Sequence, residues 1–139
     1  MNEADRCTEA RRWIHYAEED LKAAEGVPRS GGVPRHACWL AQQAAEKALK
    51  AVLVFQQIDF PRSHDLDALR NLIPEGWAVK TRAPDLAELT EWAVESRYPG
   101  DWPDATTAEA AAAVTQARGV VDCICADFAE QGYVTDEGK

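Results

Sequence analysis

The sequence contains no long apolar run and no apolar segment near its start. No stretch approaches the ~18 consecutive apolar residues that a membrane-spanning helix needs. The first ten residues, MNEADRCTEA, are polar and acidic, whereas a signal peptide has a basic start followed by an apolar segment. We therefore expect a protein without a membrane span that resides in the cytoplasm.

Cysteine is present, but not in the patterns that bind metals. The four cysteines, Cys7, Cys38, Cys123 and Cys125, form no CxxC pair and have no zinc-ligand spacing. On a helix, Cys123 and Cys125 would project to different faces, which disfavours a shared metal ion. We expect reduced thiols, no metal site and no cofactor.

The sequence has fewer basic than acidic residues. The 139 residues include 15 Lys and Arg against 24 Asp and Glu, so the formal net charge is −9. Non-specific nucleic-acid binding depends on clustered cations that neutralise phosphates, and we expect no non-specific DNA binding. The length and the apolar content of 46% predict one domain over residues 1–139, with a frayed tail at 132–139.

Two-residue alternation is rare, and apolar residues recur at spacings of three and four, which predicts helices. The segment GVPRSGGVPR at 26–35 interrupts this pattern, because its glycines and prolines cannot continue a helix. We predict an all-α, up-and-down bundle with a small insert before the last helix. The five predicted helices are three long ones at 4–25, 35–57 and 107–131, a short one that follows Ser63 and ends before Pro74, and another short one at about 84–96.

Several residues predict how these helices begin and pack. Ser63 is a candidate N-cap of the third helix, with Asp65 in its first turn. Thr106 and Glu109 have the spacing of a capping box for the last helix. The second helix is rich in alanine, so other helices can approach it closely, and we expect it in the centre of the bundle. Its recurring alanines include Ala41, Ala44, Ala45 and Ala48.

No common catalytic motif is present: the sequence lacks GxSxG, a P-loop and GxGxxG, and no histidine has another at i+4. Two short segments are still candidates for a site. In RSHDL, Arg62 and His64 would present donors to an anion at a helix N-terminus. The alternative is a plain helix start in which His64 packs or is solvated.

The second segment is RYP. Arg97 has the planar donor fork that suits phosphate, and Tyr98 has a face on which a base can stack. Alternatively, Tyr98 packs under the loop and Arg97 pairs with a nearby carboxylate. Tryptophans are the other notable feature of this region, because Trp77, Trp92 and Trp102 all fall around the insert. They either fill gaps between short helices or anchor a dimer.

Four segments in this order resemble the HEPN domain family, in its branch of small free-standing prokaryotic proteins. They are W-x3-A-x2-D-L-x2-A from Trp13, QQAAEKALKAVL from Gln42, P-x-x-H-D-L from Pro61, and RYP from Arg97. The resemblance spans about residues 10–128. It implies an all-α bundle, a homodimer, nucleotide binding, and a complex with a minimal nucleotidyltransferase that often forms a toxin–antitoxin pair.

Many members of the wider family are metal-independent RNases with the motif R-x4-6-H on the late helix. In this sequence only Arg29 and His36 have that spacing, and they lie in or beside the glycine-rich loop. Arg118 lies on the last helix, but no histidine follows it. An endoribonuclease toxin would therefore need another pair, for which His64 and Arg97 are the candidates.

The resemblance also assigns a role to the QQAAEK segment. It implies that Gln42, Gln43, Glu46 and Lys47 line a groove or a dimer seam, with Trp39 as a further interface residue and Lys47 as a ligand contact. The alternative is a solvated outer face. We expect a non-enzymatic module that binds a nucleotide or a nucleotidyltransferase, with an RNase toxin and a ligand-free helical adaptor as the alternatives.

Overall fold

The computed structural model describes residues 2–93 and 103–132, and these residues form helices and connecting loops with no strand. The all-α bundle predicted from the sequence is confirmed. The described ranges hold six helices rather than five. They are α1 (Glu3–Gly26), α2 (Pro34–Phe55), α3 (Leu66–Leu72), α4 (Val79–Arg82), α5 (Ala87–Thr90) and α6 (Thr107–Glu130).

The long helix α2 lies at the centre of the bundle, as predicted. It packs against α1 and α6, and it also contacts α3 and α5. Its alanines are almost completely buried, and their small side chains allow the neighbouring helices to approach. The buried alanines of α2 are Ala37, Ala41, Ala44, Ala45, Ala48 and Ala51. None of the helices in the described ranges is long and apolar enough to cross a membrane.

The C-terminus of α2 comes two residues before the predicted boundary at 57. Gln57 has a left-handed backbone conformation with φ of 57°. Its N–H donates to Val54 O at 3.1 Å, and the N–H of Ile58 donates to Leu53 O at 2.9 Å. This pair of bonds is a Schellman motif, which satisfies carbonyls at the helix end. The left-handed residue stops the helix and directs the chain into the segment that carries His64.

The start of α3 differs from the prediction. Asp65, not Ser63, is the N-cap, and its side chain accepts from the N–H of Ala68 at 3.2 Å. The N–H of Leu66, which a cap at Ser63 could have bound, donates to the Thr90 hydroxyl at 3.0 Å. Ser63 Oγ instead accepts from the N–H of Asp65 at 3.1 Å. The N-cap predicted at Ser63 was therefore wrong by two residues.

The start of α6 follows the prediction. Thr106 Oγ1 accepts from the N–H of Glu109 at 3.0 Å, and the Glu109 carboxylate accepts from the N–H of Thr106 at 2.9 Å. This reciprocal pair is a capping box, and it satisfies two of the amide groups that a helix start leaves without intrahelical partners. The predicted capping box is confirmed.

The insert contains a helix that the sequence pattern does not predict. The buried carboxylate of Asp127 on α6 accepts from the N–H groups of Ala78 and Val79, at 3.1 and 3.4 Å, and so caps α4 from another part of the chain. The helix predicted at 84–96 is reduced to the short α5, and its predicted end lies outside the described residues. A cap supplied from a distant helix leaves no local signal in the sequence.

Trp77 and Trp92 are buried, with 5% and 7% of their surface exposed. The ring of Trp77 meets Phe55 and Phe128 edge to face, with centroid distances of 6.5 and 5.1 Å. These two tryptophans fill the space between the insert and the long helices, which favours the gap-filling interpretation over a dimer anchor. Trp102 lies outside the described residues.

Candidate functional site

The polar side chains of α2 meet the segment that precedes α3, and they form a hydrogen-bonded cluster there. His64 Nδ1 lies 2.7 Å from Glu46 Oε1. The Gln42 amide donates to the backbone carbonyl of His64 at 3.0 Å and to Glu46 Oε1 at 3.1 Å. The ring and the backbone of His64 are therefore both held by α2. We call Gln42, Glu46, Lys50 and His64 the His64 cluster.

Glu46 is the buried centre of this cluster. Its second oxygen, Oε2, accepts from the Lys50 ammonium at 2.8 Å. Burial acts to raise the pKa of the Glu46 carboxyl. Hydrogen bonds from Lys50, His64 and Gln42 outweigh burial and hold that pKa below its ordinary value. The carboxylate is therefore ionised at neutral pH, although only 6% of its side chain is exposed.

The solvated outer face considered for this stretch is wrong for Gln42 and Glu46, which are 0% and 5% exposed. The segment that carries His64 covers this side of α2, as the bond from Gln42 to the His64 carbonyl demonstrates. Gln43 and Lys47 are half-buried. Helical spacing alone cannot reveal a loop that folds over a helix face.

A second ion pair lies beside the cluster and joins α1 to α2. Lys47 Nζ donates to Asp20 Oδ2 at 2.6 Å, and the two side chains are 29% and 22% exposed. The Gln43 amide donates to Gln42 Oε1 at 2.7 Å. Lys47, expected as a ligand contact, is thus engaged by its own chain, and a ligand would have to compete with Asp20 for it.

The accessible part of the site lies around His64. Its side chain is 37% exposed, whereas that of Glu46 behind it is 6% exposed. Arg62 is exposed two residues earlier in the same segment, and Trp39 is 39% exposed near the start of α2. An imidazole and a guanidinium that reach solvent can donate hydrogen bonds to an anion such as phosphate.

The remaining predicted site residues are not part of this cluster. Arg97 and Tyr98 lie outside the described residues. Arg29 and His36, the pair with RNase-motif spacing, are both exposed, at the loop between α1 and α2 and at the first turn of α2. Arg118 on α6 forms an ion pair with Glu25 of α1, in which Nη2 and Nε donate to Glu25 Oε2 at 2.5 and 3.1 Å.

The sequence did not identify two residues that bind the polar side chains of α2, namely Lys50 and Asp20. Lys50 is recognisable in the sequence only as the partner of Glu46 at i+4, and Asp20 only as part of an α1 pattern. The i+4 spacing is the available signal for Lys50. Nothing in the sequence marks Asp20 as the partner of Lys47, because they lie 27 positions apart on different helices.

A family model described as the HEPN domain matches residues 10–128 of this chain. Among curated proteins, the chain is similar to one from Methanocaldococcus jannaschii named "Putative toxin MJ1304", with 35% identity over 97 residues. That match covers 65% of this chain and spans 63% of the length of the relative.

Two solved structures are similar to the fold described above. The crystal structure of TT1696 from Thermus thermophilus has a TM-score of 0.70 at 26% identity, and the match covers 86% of this chain and 98% of that one. The crystal structure of ST0689, an archaeal HEPN homologue, has a TM-score of 0.62 at 30% identity, with 84% and 94% covered.

Proposed function

The chain belongs to the HEPN domain family, and we propose that it is a nucleotide-binding module that works with a nucleotidyltransferase partner in a toxin–antitoxin pair. The observation that carries the nucleotide part is the His64 cluster. It presents a half-exposed imidazole held from behind by a buried carboxylate, and the exposed Arg62 lies two residues earlier in the same segment. The name of the M. jannaschii relative supports the toxin part.

The proposed ligand contacts are His64 and Arg62, together with Arg97 and Tyr98 as predicted from the sequence. The protonated form of an imidazole and a guanidinium group suit phosphate oxygens, and a tyrosine ring suits a base. Lys47 contributes only if the ligand displaces Asp20 from it.

A thermal-shift screen tests nucleotide binding. The purified chain is melted with ATP, GTP, their mono- and diphosphates, and a short RNA. A ligand at 100 times its Kd adds about 2.7 kcal/mol, which corresponds to several degrees in a domain of this size. We expect one nucleotide to shift the melting temperature, and the shift to be lost in His64→Gln and Arg97→Ala. His36→Gln is the matched control, because His36 is an exposed histidine outside the cluster.

The partner proposal has its own test. Where the neighbouring gene encodes a minimal nucleotidyltransferase with a GSxxxG and DxD pattern, co-expression should yield a stable complex that co-purifies. We also propose that the chain is a homodimer that uses Trp39 and Gln43, since the buried Gln42 and Glu46 face their own chain. Light scattering of the purified chain should give twice the mass of 15.3 kDa.

An endoribonuclease toxin is the second candidate function. It is favoured by the 2.7 Å contact between His64 and Glu46, because a histidine oriented by a carboxylate suits general acid–base chemistry. Growth arrest on expression that is lost in His64→Ala would support it. Normal growth with soluble protein would count against it. A chain that neither binds nucleotides nor arrests growth would be a helical adaptor.

A further inference from the structure

We propose that Glu46 and Gln42 are positioning residues that hold the His64 imidazole in one orientation, with its proton on Nδ1. This inference rests on the proposed role of His64 as a ligand contact. It replaces the interface role that the sequence predicted for Glu46 and Gln42, because both side chains are buried against their own chain.

The proton assignment follows from the chemistry of the contact. An ionised carboxylate can only accept hydrogen bonds. Glu46 is anionic at neutral pH, since its bonds to Lys50, His64 and Gln42 lower its pKa despite burial. The 2.7 Å contact therefore requires a donor on the ring, and that donor is Nδ1–H of His64. In the neutral ring the lone pair is then on Nε2, on the side turned away from the carboxylate, and Nε2 donates to a phosphate oxygen only when the ring is protonated.

Gln42 fixes the backbone on which the ring is mounted. Its amide nitrogen donates to the His64 carbonyl at 3.0 Å, while its oxygen accepts from the Gln43 amide at 2.7 Å. The second bond sets which end of the Gln42 amide faces His64. Lys50 has the same effect on Glu46, because it occupies Oε2 and leaves Oε1 for the ring. The orientation of His64 is thus determined from α2.

Within the described ranges, both elements that form this contact carry charged residues. Glu46 and Lys50 lie on α2, and Arg62 and Asp65 flank His64 in its own segment. The Glu46 carboxylate contacts the imidazole directly. Removing its charge should therefore change how readily the ring takes up a proton, while the more distant carboxylates should have less effect.

Nuclear magnetic resonance of the wild-type chain tests the proton assignment without any variant. Long-range proton–nitrogen correlation spectra report which ring nitrogen carries the proton. We expect His64, in its neutral state, to be protonated on Nδ1. A neutral His64 protonated mainly on Nε2 would overturn the inference.

The variant Glu46→Gln tests the role of the charge, because it keeps the side-chain volume and a hydrogen-bond acceptor. We expect the midpoint of the His64 ring titration to move to lower pH by about one unit, which is a tenfold change in proton affinity. Glu25→Gln, which removes the partner of Arg118 on another face, is the matched control and should leave the midpoint unchanged. An unchanged midpoint in Glu46→Gln would overturn the proposal.

The two proposals fail separately. If no nucleotide shifts the melting temperature, the proposed function is lost, while the ring titration still decides whether Glu46 positions His64. If a nucleotide binds and the His64 titration midpoint in Glu46→Gln equals that of wild type, the proposed function is supported and the positioning role is contradicted.

Discussion

Two groups of ion pairs on the long helices differ in how far water reaches them. In the His64 cluster, Glu46 and Lys50 are 6% and 13% exposed and lie 2.8 Å apart. On the other face, Arg118 and Glu25 join α6 to α1 at 2.5 Å, but they are 45% and 33% exposed. The two pairs have similar distances but different exposure to water, and the exposure determines how much each pair contributes to stability.

The exposed pair resembles many surface salt bridges. Its hydrogen bond to Glu25 raises the pKa of Arg118 above its ordinary value, so the guanidinium is charged at neutral pH. Water and salt screen this attraction, and such pairs contribute little to stability. The buried pair is different, because removing one partner leaves a desolvated charge without compensation. The comparison predicts a large effect at Glu46 and a small one at Glu25 and Arg118.

The largest effect should follow from Glu46→Ala. It leaves the Lys50 ammonium and the Gln42 amide without the carboxylate that they bind, and we expect a loss of about 3 kcal/mol in the free energy of unfolding. Urea denaturation measures this loss. The matched variant Glu25→Ala should cost less than about 1 kcal/mol. Equal losses in the two variants would remove the distinction between the groups.

A smaller effect should be seen in the pH dependence of stability. The pKa of Glu46 is lower in the folded chain than its ordinary value of 4.5. Its contribution to stability is therefore present above pH 4.5 and is lost as the pH falls through the folded pKa. The difference in free energy of unfolding between wild type and Glu46→Gln should narrow below about pH 4.5, where the Glu46 carboxylate of the wild type takes up its proton. Denaturation at several pH values below 4.5 measures this difference, and a difference that widens over that range would contradict the assignment.

The smallest effect should come from Arg118→Gln. We expect a loss below about 1 kcal/mol at low salt, and almost none in about 1 M salt, because the pair is accessible to screening ions. Thermal melts at the two salt concentrations compare the variants. A salt-independent loss would mean that Arg118 acts through packing of its aliphatic part rather than through its charge.

Sequence patterns predicted most of the fold because they report on local physics. The apolar spacing located all three long helices, with ends within two residues of those observed, and the small side chains of α2 predicted its central position. The capping box at Thr106 was recognisable because both partners lie within one helical turn. The short helices of the insert were predicted less well, since Asp127, which caps α4, lies 48 residues away from Val79.

The candidate site was predicted only in parts. His64 and the polar residues of α2 were singled out, but as separate segments with different roles. The alternative of a solvated face is wrong for Gln42 and Glu46, because the segment after α2 folds back over them. The roles of Arg97 and Tyr98 remain predictions from the sequence.

Residue patterns were enough to predict the helical class, the extent of the long helices and the helix at the centre, since periodicity and capping act over a few residues. Which polar groups are buried, and which of them meet, depends on how the helices and loops pack together. The bond between Glu46 and His64 joins residues 18 positions apart, and that between Lys47 and Asp20 joins residues 27 positions apart. Those long-range contacts orient each group, and the water that they exclude influences its charge state.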